Sequence, residues 1–542
     1  MKRALGKILC GATLLLGLPL MFTSCEEILG EWSKPAPVPG TPNTPTPSPT
    51  PTPASKTAGA ISFTKTSLNK GSLDPTFTNE LTITGDGAVT YSSSNEAAAT
   101  VDPTTGEVTL VGAGTTSITA TVSDSETYTY ETNSASYSLE VKDGISYLEW
   151  DGTKFITQNV ASSGCQVVTS STTAWNGSKT YVVNGNVTIS GDVTVSDDSK
   201  LILCDGATLT INGKLSNNGT GFDLIIYAQS DGVKMGVLNA SANMTCETDY
   251  TIRFRNLTIH GGKITATAEG ASYTNCAGIV VTNLTMFGGD VTAQGNGYDG
   301  AAIRIGYTVV DIKNNAKLMA KGGDNSSGIA DRGISSSNDA TINVSDNASL
   351  TAIGGNGNHG GNAIVGVEVF QLNASGNALV TLTGGNSSGN AQGGFGVNGG
   401  TYGNVTASGN ACLEITGGNG SIGGYGISPK LTISGNASVK AQGGDMTYSG
   451  GDVAGDAIEE VDYRGGSFTA TGGVNSSDAS KNGKGITTSI TNNLGSAVDV
   501  VGFQFGTDGS TWLTMDVPGG GRTLKNTDFT SSKFPRFFRT KQ

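Results

Sequence analysis

Few residues in this chain have the type and spacing for chemistry. The two histidines, His260 and His359, stand in IHGG and NHGG. The acidic pair Asp197–Asp198 lies in SDDSK, and Arg304 and Arg332 lie in AIRIG and ADRGI. Cleavage of a sugar chain needs a general acid and a general base on either side of one bond. No nucleophile–histidine pairing or HExxH spacing is visible, so an acid–base pair would have to assemble from distant segments. The residues after each GG point to another kind of chemistry. Tyr298, Asp299, Tyr425 and Tyr448 are the candidate glycan-binding residues, because aromatic faces stack on sugar rings and carboxylates bond hydroxyls. Their carboxylates also suggest Ca2+ as the one cofactor to consider, with no ligand set defined.

These residues sit in a repeat. SDNASLTAIGGN (345–356) recurs as SGNALVTLTGGN (375–386), SGNACLEITGGN (408–419) and SGNASVKAQGGD (434–445). Aligned apolar positions are Leu209, Leu238, Ile264, Val291, Leu318, Leu350, Val380, Leu413, Val439 and Phe468, a spacing that marks a solenoid. Within Asn347–Ile353 apolar and polar residues alternate, which predicts a strand with one buried face. A second strand precedes each motif, as in ATINVS and KLTISG. A third follows, as in NAIVGV and GYGISP. Three strands per coil predict a parallel β-helix, right-handed by the chirality of parallel crossovers. With coils about 4.8 Å apart, ten of them span roughly 50 Å. Asn315, Asn347, Asn377, Asn410 and Asn436 fall at one corner and are expected to form a structural ladder of side-chain amides. In HGGKITA, FGGDVTA and RGGSFTA, GG takes that corner. The same register turns Cys412 outward and Leu413 inward.

The remaining segments give the domain plan. MKRALGK is basic, ILCGATLLLGLPLMF is apolar and FTSC ends at Cys25, which resembles a bacterial lipoprotein signal. Residues 1–24 would then be removed and Cys25 lipidated, giving an outer-membrane lipoprotein held by its lipid anchor. Glu26 and Glu27 resemble the surface-export acids of Bacteroidetes-type lipoproteins. Residues 25–57 hold a Pro/Thr-rich stretch that favours extended geometry and acts as a spacer. Residues 58–142 alternate in short strands. YSSSNEAAATVDPTTGEVTLVGAGTTSITAT (91–121) resembles the bacterial Ig-like group 2 domain, a β-sandwich that usually serves as a spacer or adhesion module. Residues 143–500 are the β-helix, with ISYLEWDGTKFITQN (145–159) as its N-terminal cap. The aromatic, basic tail 501–542 is the C-terminal cap.

Composition narrows the function. Net charge is −13, which sets the chain against duplex nucleic acid as a partner. Five cysteines remain beyond Cys25, an odd number without a CxxC, so they read as packing residues. VTISGDVTVSDDSKLILCDGATLTING (187–213), LTIHGGKITATA (257–268) and LTMFGGDVTAQGNG (284–297) resemble the carbohydrate-binding β-helix family related to pectate lyases. That resemblance implies polysaccharide binding without a need for catalysis. The expectation is an all-β, surface-anchored, non-catalytic polysaccharide-binding protein. An adhesin for a protein partner and a polysaccharide lyase or hydrolase are the alternatives.

Overall fold

A computed structural model describes residues 55–493, apart from 218–220, 271–272, 307, 337–338, 368, 401 and 448–452, together with four later strands. Tyr448 and Cys25 lie outside the described residues. No α-helix occurs among the described residues, and the chain is all-β.

Residues 57–142 form the immunoglobulin-like part. Gly114–Val122 and Ser134–Lys142 are antiparallel neighbours in a four-stranded sheet, flanked by Ser67–Gly71 and Val89–Ser93. Alternation along these strands buries Ile118, Tyr137, Leu139 and Val141 in a core of their own. The turn at 71–74 meets the next part. Asp74 is buried there and accepts a hydrogen bond from Gln229 Nε2 at 2.6 Å.

From Cys165 onward the chain is a β-helix of about ten turns. Its strands stack in three parallel columns. The aligned apolar residues pair one to the next, as Leu318 with Leu350, Leu350 with Val380, and Val380 with Leu413. All ten, from Leu209 to Phe468, are at most 2 % exposed. The second column stacks Ile342, Leu372 and Val405, and the third stacks Ile334, Ile364 and Val397. The side chains so aligned fill one continuous core. Each buried aliphatic side chain contributes about 1.5–3 kcal/mol.

A tight corner joins the second column to the first. The residue before each ladder asparagine is left-handed: Asn314, Asp346, Gly376, Gly409 and Gly435 have φ of 57, 61, 65, 66 and 66°. Asn and Asp tolerate this region and Gly enters it freely, which explains SDN and SGN as variants of one turn.

A second feature closes the later coils, from Gly355 to Gly483. Gly361 N donates to Gly355 O, Gly385 N to Gly361 O, Gly394 N to Gly385 O and Gly418 N to Gly394 O. The chain of bonds continues through Gly424, Gly444, Gly455 and Gly473 to Gly483, every one between 2.7 and 3.0 Å. The second glycine of the GG pairs at 354–355, 384–385, 417–418, 443–444 and 472–473 thus meets a glycine returning to the next strand, and the described residues between them loop outward from this neck. A Cβ on Gly385 would collide with the carbonyl oxygen of Gly355, and one on Gly394 with that of Gly361. Ten of the 80 glycines form this neck.

The aromatic segment expected as an N-terminal cap makes its contacts along the side of the helix. Ile145–Trp150 and Phe155–Val160 form an antiparallel hairpin. Its aromatics touch Tyr227, His260 and Phe287, at corresponding places on successive coils. At the other end, Arg522–Lys525 and Phe537–Thr540 pair antiparallel with Ser489–Asn492 and Thr469–Thr471, so the tail covers open strand edges of the last coils.

Two outcomes are expected. Gly385→Ala should destabilise the β-helix by an amount comparable to Leu350→Ala, about 2–5 kcal/mol, whereas Thr351→Ala on the outward row should stay within about 0.5 kcal/mol, all read by denaturant unfolding. A thiol reagent should label the exposed Cys412 and Cys246 of the native protein rapidly and leave the buried Cys204 and Cys276 unmodified, as mass spectrometry of the peptides would show.

Candidate functional site

The ladder residues meet along the second-to-first-column corner. Asn347 Nδ2 donates to Asn315 Oδ1 at 3.4 Å, Asn377 to Asn347 at 3.0 Å, Asn410 to Asn377 at 3.1 Å and Asn436 to Asn410 at 3.3 Å. A second ladder, not foreseen from the sequence, runs beside the glycine neck. Asp324 Oδ1 accepts from Asn356 N at 2.7 Å, Asn356 from Asn386 N at 2.8 Å, Asn386 from Asn419 N at 2.8 Å and Asn419 from Asp445 N at 2.7 Å. Its signal is the Asn or Asp that follows GG in GGD and GGN. The same Asn or Asp also begins a segment of variable length, so its ladder role shows only when the coils are stacked.

The loop-side candidates do not converge. Asp299 has a left-handed backbone and pairs with Arg332 at 2.8 Å. Tyr298 beside it is half-buried. Tyr425 lies four coils further on and packs edge-on against Phe395, with ring centroids 5.3 Å apart. Burial pushes its phenol above the usual value. Among the described loop carboxylates, Asp324 and Asp445 serve the second ladder. Asp456 accepts from Lys484 N at 2.6 Å and Thr487 Oγ1 at 2.7 Å. Among the described residues no group of three or more His, Cys, Asp or Glu is placed to hold a metal ion.

The hairpin creates the best-formed site. Trp150 lies nearly parallel to Phe287, at 17° and 6.2 Å between ring centroids, and edge-on to Phe155 at 5.4 Å. An open cleft of about 880 Å³ runs from these rings to Asn315 and Asn347, the first rungs of the exposed amide ladder, with Lys313 at its side. A smaller cleft of about 310 Å³ lies on the other flank, lined by Asp231, His260, Asp290 and Lys317. Phe155 and Asn315 line both. The hairpin turn is fixed by Asp151, whose Oδ1 accepts from Thr153 N at 2.8 Å and Lys154 N at 2.9 Å. These bonds hold its carboxyl below the usual range. An apolar ring surface bordered by amides suits a ligand with an apolar face and a rim of hydroxyls.

His260 holds this hairpin down. Its Nδ1 accepts from Trp150 N at 2.9 Å, and its ring stacks on Tyr227 at 4.8 Å. Burial lowers its pKa from 6.5 to about 4, against the pull of Glu149, while Lys200 lowers it further. The imidazole is therefore a neutral acceptor at pH 7. Tyr227 completes the clamp by donating to Glu149 Oε1 at 3.0 Å. The acidic pair of the sequence is structural too, since Asp198 Oδ1 accepts from Asp223 N at 2.9 Å. His359 is exposed on a loop strand.

The comparisons with known proteins bear on the first domain. Residues 79–124 match the family described as Intimin, immunoglobulin-like domain. They lie inside the segment expected to be Ig-like and make up a small part of the chain. No curated protein matches the sequence. Together with the β-helix, the match defines the class: an all-β protein with an adhesin-type immunoglobulin-like domain ahead of a β-solenoid, an architecture consistent with a surface binding protein.

The clamp sets a pH dependence. Burial beneath the hairpin lowers the His260 pKa from the ordinary imidazole value of 6.5 to about 4. Between these values the released state binds the extra proton, so docking is complete above pH 6.5 and weakens as pH falls toward 4, by up to about tenfold per unit. The protection factor of the Trp150 amide, exchange corrected for its intrinsic pH dependence, should fall over that window, and His260→Gln should flatten the response.

Proposed function

We propose that this protein is a non-catalytic polysaccharide-binding protein of the cell surface, and that the glycan lies in the cleft beside the hairpin. The observation that carries the reading is the aromatic surface of Trp150, Phe155 and Phe287 next to the amides of Asn315 and Asn347. Stacking would supply affinity, and the amides would orient hydroxyls. In this reading Cys25 bears the lipid that anchors the chain in the outer membrane. Residues 25–57 space the folded part from that membrane, and the immunoglobulin-like domain extends the spacer. The resemblance to carbohydrate-binding β-helices supports the same ligand class. The adhesin-type immunoglobulin-like match favours a second reading, adhesion to a protein partner. A polysaccharide lyase or hydrolase is the third, and it would require carboxylates beyond those already engaged in ladders and turns.

A polysaccharide panel with the native protein separates these readings, scored for retention and for new chain ends. Specific retention without new ends is expected. Trp150→Ala should weaken it at least tenfold, about 1.4 kcal/mol, while Tyr298→Ala and Tyr425→Ala leave it unchanged. Loss with the tyrosine variants alone would move the site to the loop side. Binding to a deglycosylated protein would favour the adhesin.

A further inference from the structure

We propose that a separate cleft, where the third strand column turns into the second, binds the carboxylate or sulfate groups of an acidic polysaccharide directly through arginine. The polymer's identity rests on the glycan reading above, whereas the anion site stands on its own residues. The chain carries a net charge of −13 and nine arginines. Three of them, Arg253, Arg255 and Arg304, line one cleft of about 290 Å³.

Strand register assembles the cluster. Arg253 pairs with Val280, and Val280 with Arg304, so the two arginines share one outward row with a half-buried valine between them. Two coils separate their backbones by about 10 Å. Arg253 lies over the Tyr250 ring at 5.1 Å, and Arg304 donates to the backbone oxygen of Asn275.

Their neighbours are neutralised in a way that these two are not. Arg255 is paired with Asp223 at 2.9 Å, Arg332 with Asp299 at 2.8 Å, and Lys214 with Asp249 at 2.7 Å. Asp331 is buried, and its carboxylate accepts from Gly297 N at 2.6 Å and Gly300 N at 2.7 Å. Among the described residues no carboxylate lies within ion-pair distance of Arg253 or Arg304. Burial disfavours the charge on Arg304; Cys276 and Asp331 oppose that effect, while the charges of Arg332 and Arg253 add to it. Two half-buried guanidinium groups that repel one another are best satisfied by an anion between them. The planar fork of Arg matches a carboxylate or a sulfate bidentately.

The position also suits a polymer. The strand Tyr250–Ile259 carries Arg253 and Arg255 near its start and leads into His260 beside the hairpin. About 15 Å of extended strand separates Arg255 from His260, the length of a few sugar units. One chain can therefore reach both clefts on the same coils. Recognition by guanidinium needs no bridging calcium.

The test uses the full chain, with polygalacturonate as the carboxylate probe, its methyl ester as the neutral control and a sulfated galactan as the sulfate probe, each run in chelator and, in parallel, with added calcium. An acidic probe should bind, weaken with salt, and lose at least tenfold in affinity with Arg253→Gln, with the unfolding midpoint unchanged. The methyl ester should not respond to Arg253→Gln. Retention of polygalacturonate and galactan by Arg253→Gln at native affinity, or binding that requires calcium, would overturn the proposal. If no polymer binds, the glycan reading fails, and phenylglyoxal labelling decides the anion site alone. Protection of Arg253 and Arg304 by monomeric galacturonate or by sulfate, and not by galactose, supports it; equal labelling with all three overturns it.

Discussion

The later coils of the β-helix, from Gly355 onward, depend on how closely two stretches of backbone approach at a glycine neck. The hydrogen bonds that alternate between Gly355, Gly361, Gly385 and Gly394 leave no volume for a Cβ. They fix both ends of each outward loop whatever its length, and they return the chain to the third column in register. The buried columns can then stack like on like, Leu350 on Leu318 and Ile364 on Ile334. Loop variation therefore costs little in the core, which is why a solenoid can carry loops of unequal length on one side.

The polar corners follow the same logic. Polar side chains recur at the turns of successive coils, and stacking lets each one bond its counterpart in the next coil. One ladder does this side chain to side chain, from Asn315 to Asn436. The other uses side chain to backbone, from Asp324 to Val474. Most loop carboxylates described are thereby engaged in scaffolding. Sites arise where the repeat is interrupted. A hairpin from outside it leans on one corner and brings Trp150 to the amides. A short run of arginines breaks the outward row on the neighbouring corner.

The sequence by itself determined the strand period, the ten-coil alignment and the ladder asparagines, because stacked coils force equivalent residues into equivalent places. Leu209 through Phe468 could be aligned by eye for that reason. It also marked Cys412 as outward, since a strand alternates its faces. Only the tertiary structure decided that the GG pairs from Gly354 onward at the loop exits meet a second, separate glycine, because nothing local joins residues on the two sides of a variable loop. The same holds for the hairpin: 145–159 reads as aromatic and non-repeating, and its place on the side wall follows from Trp150 meeting His260 across 110 residues. Arg253 and Arg304 are likewise distant in the chain and neighbours only through Val280. Contacts within one coil are written in the repeat. Contacts between the repeat and what lies outside it depend on packing in three dimensions, where sequence separation has no bearing on distance.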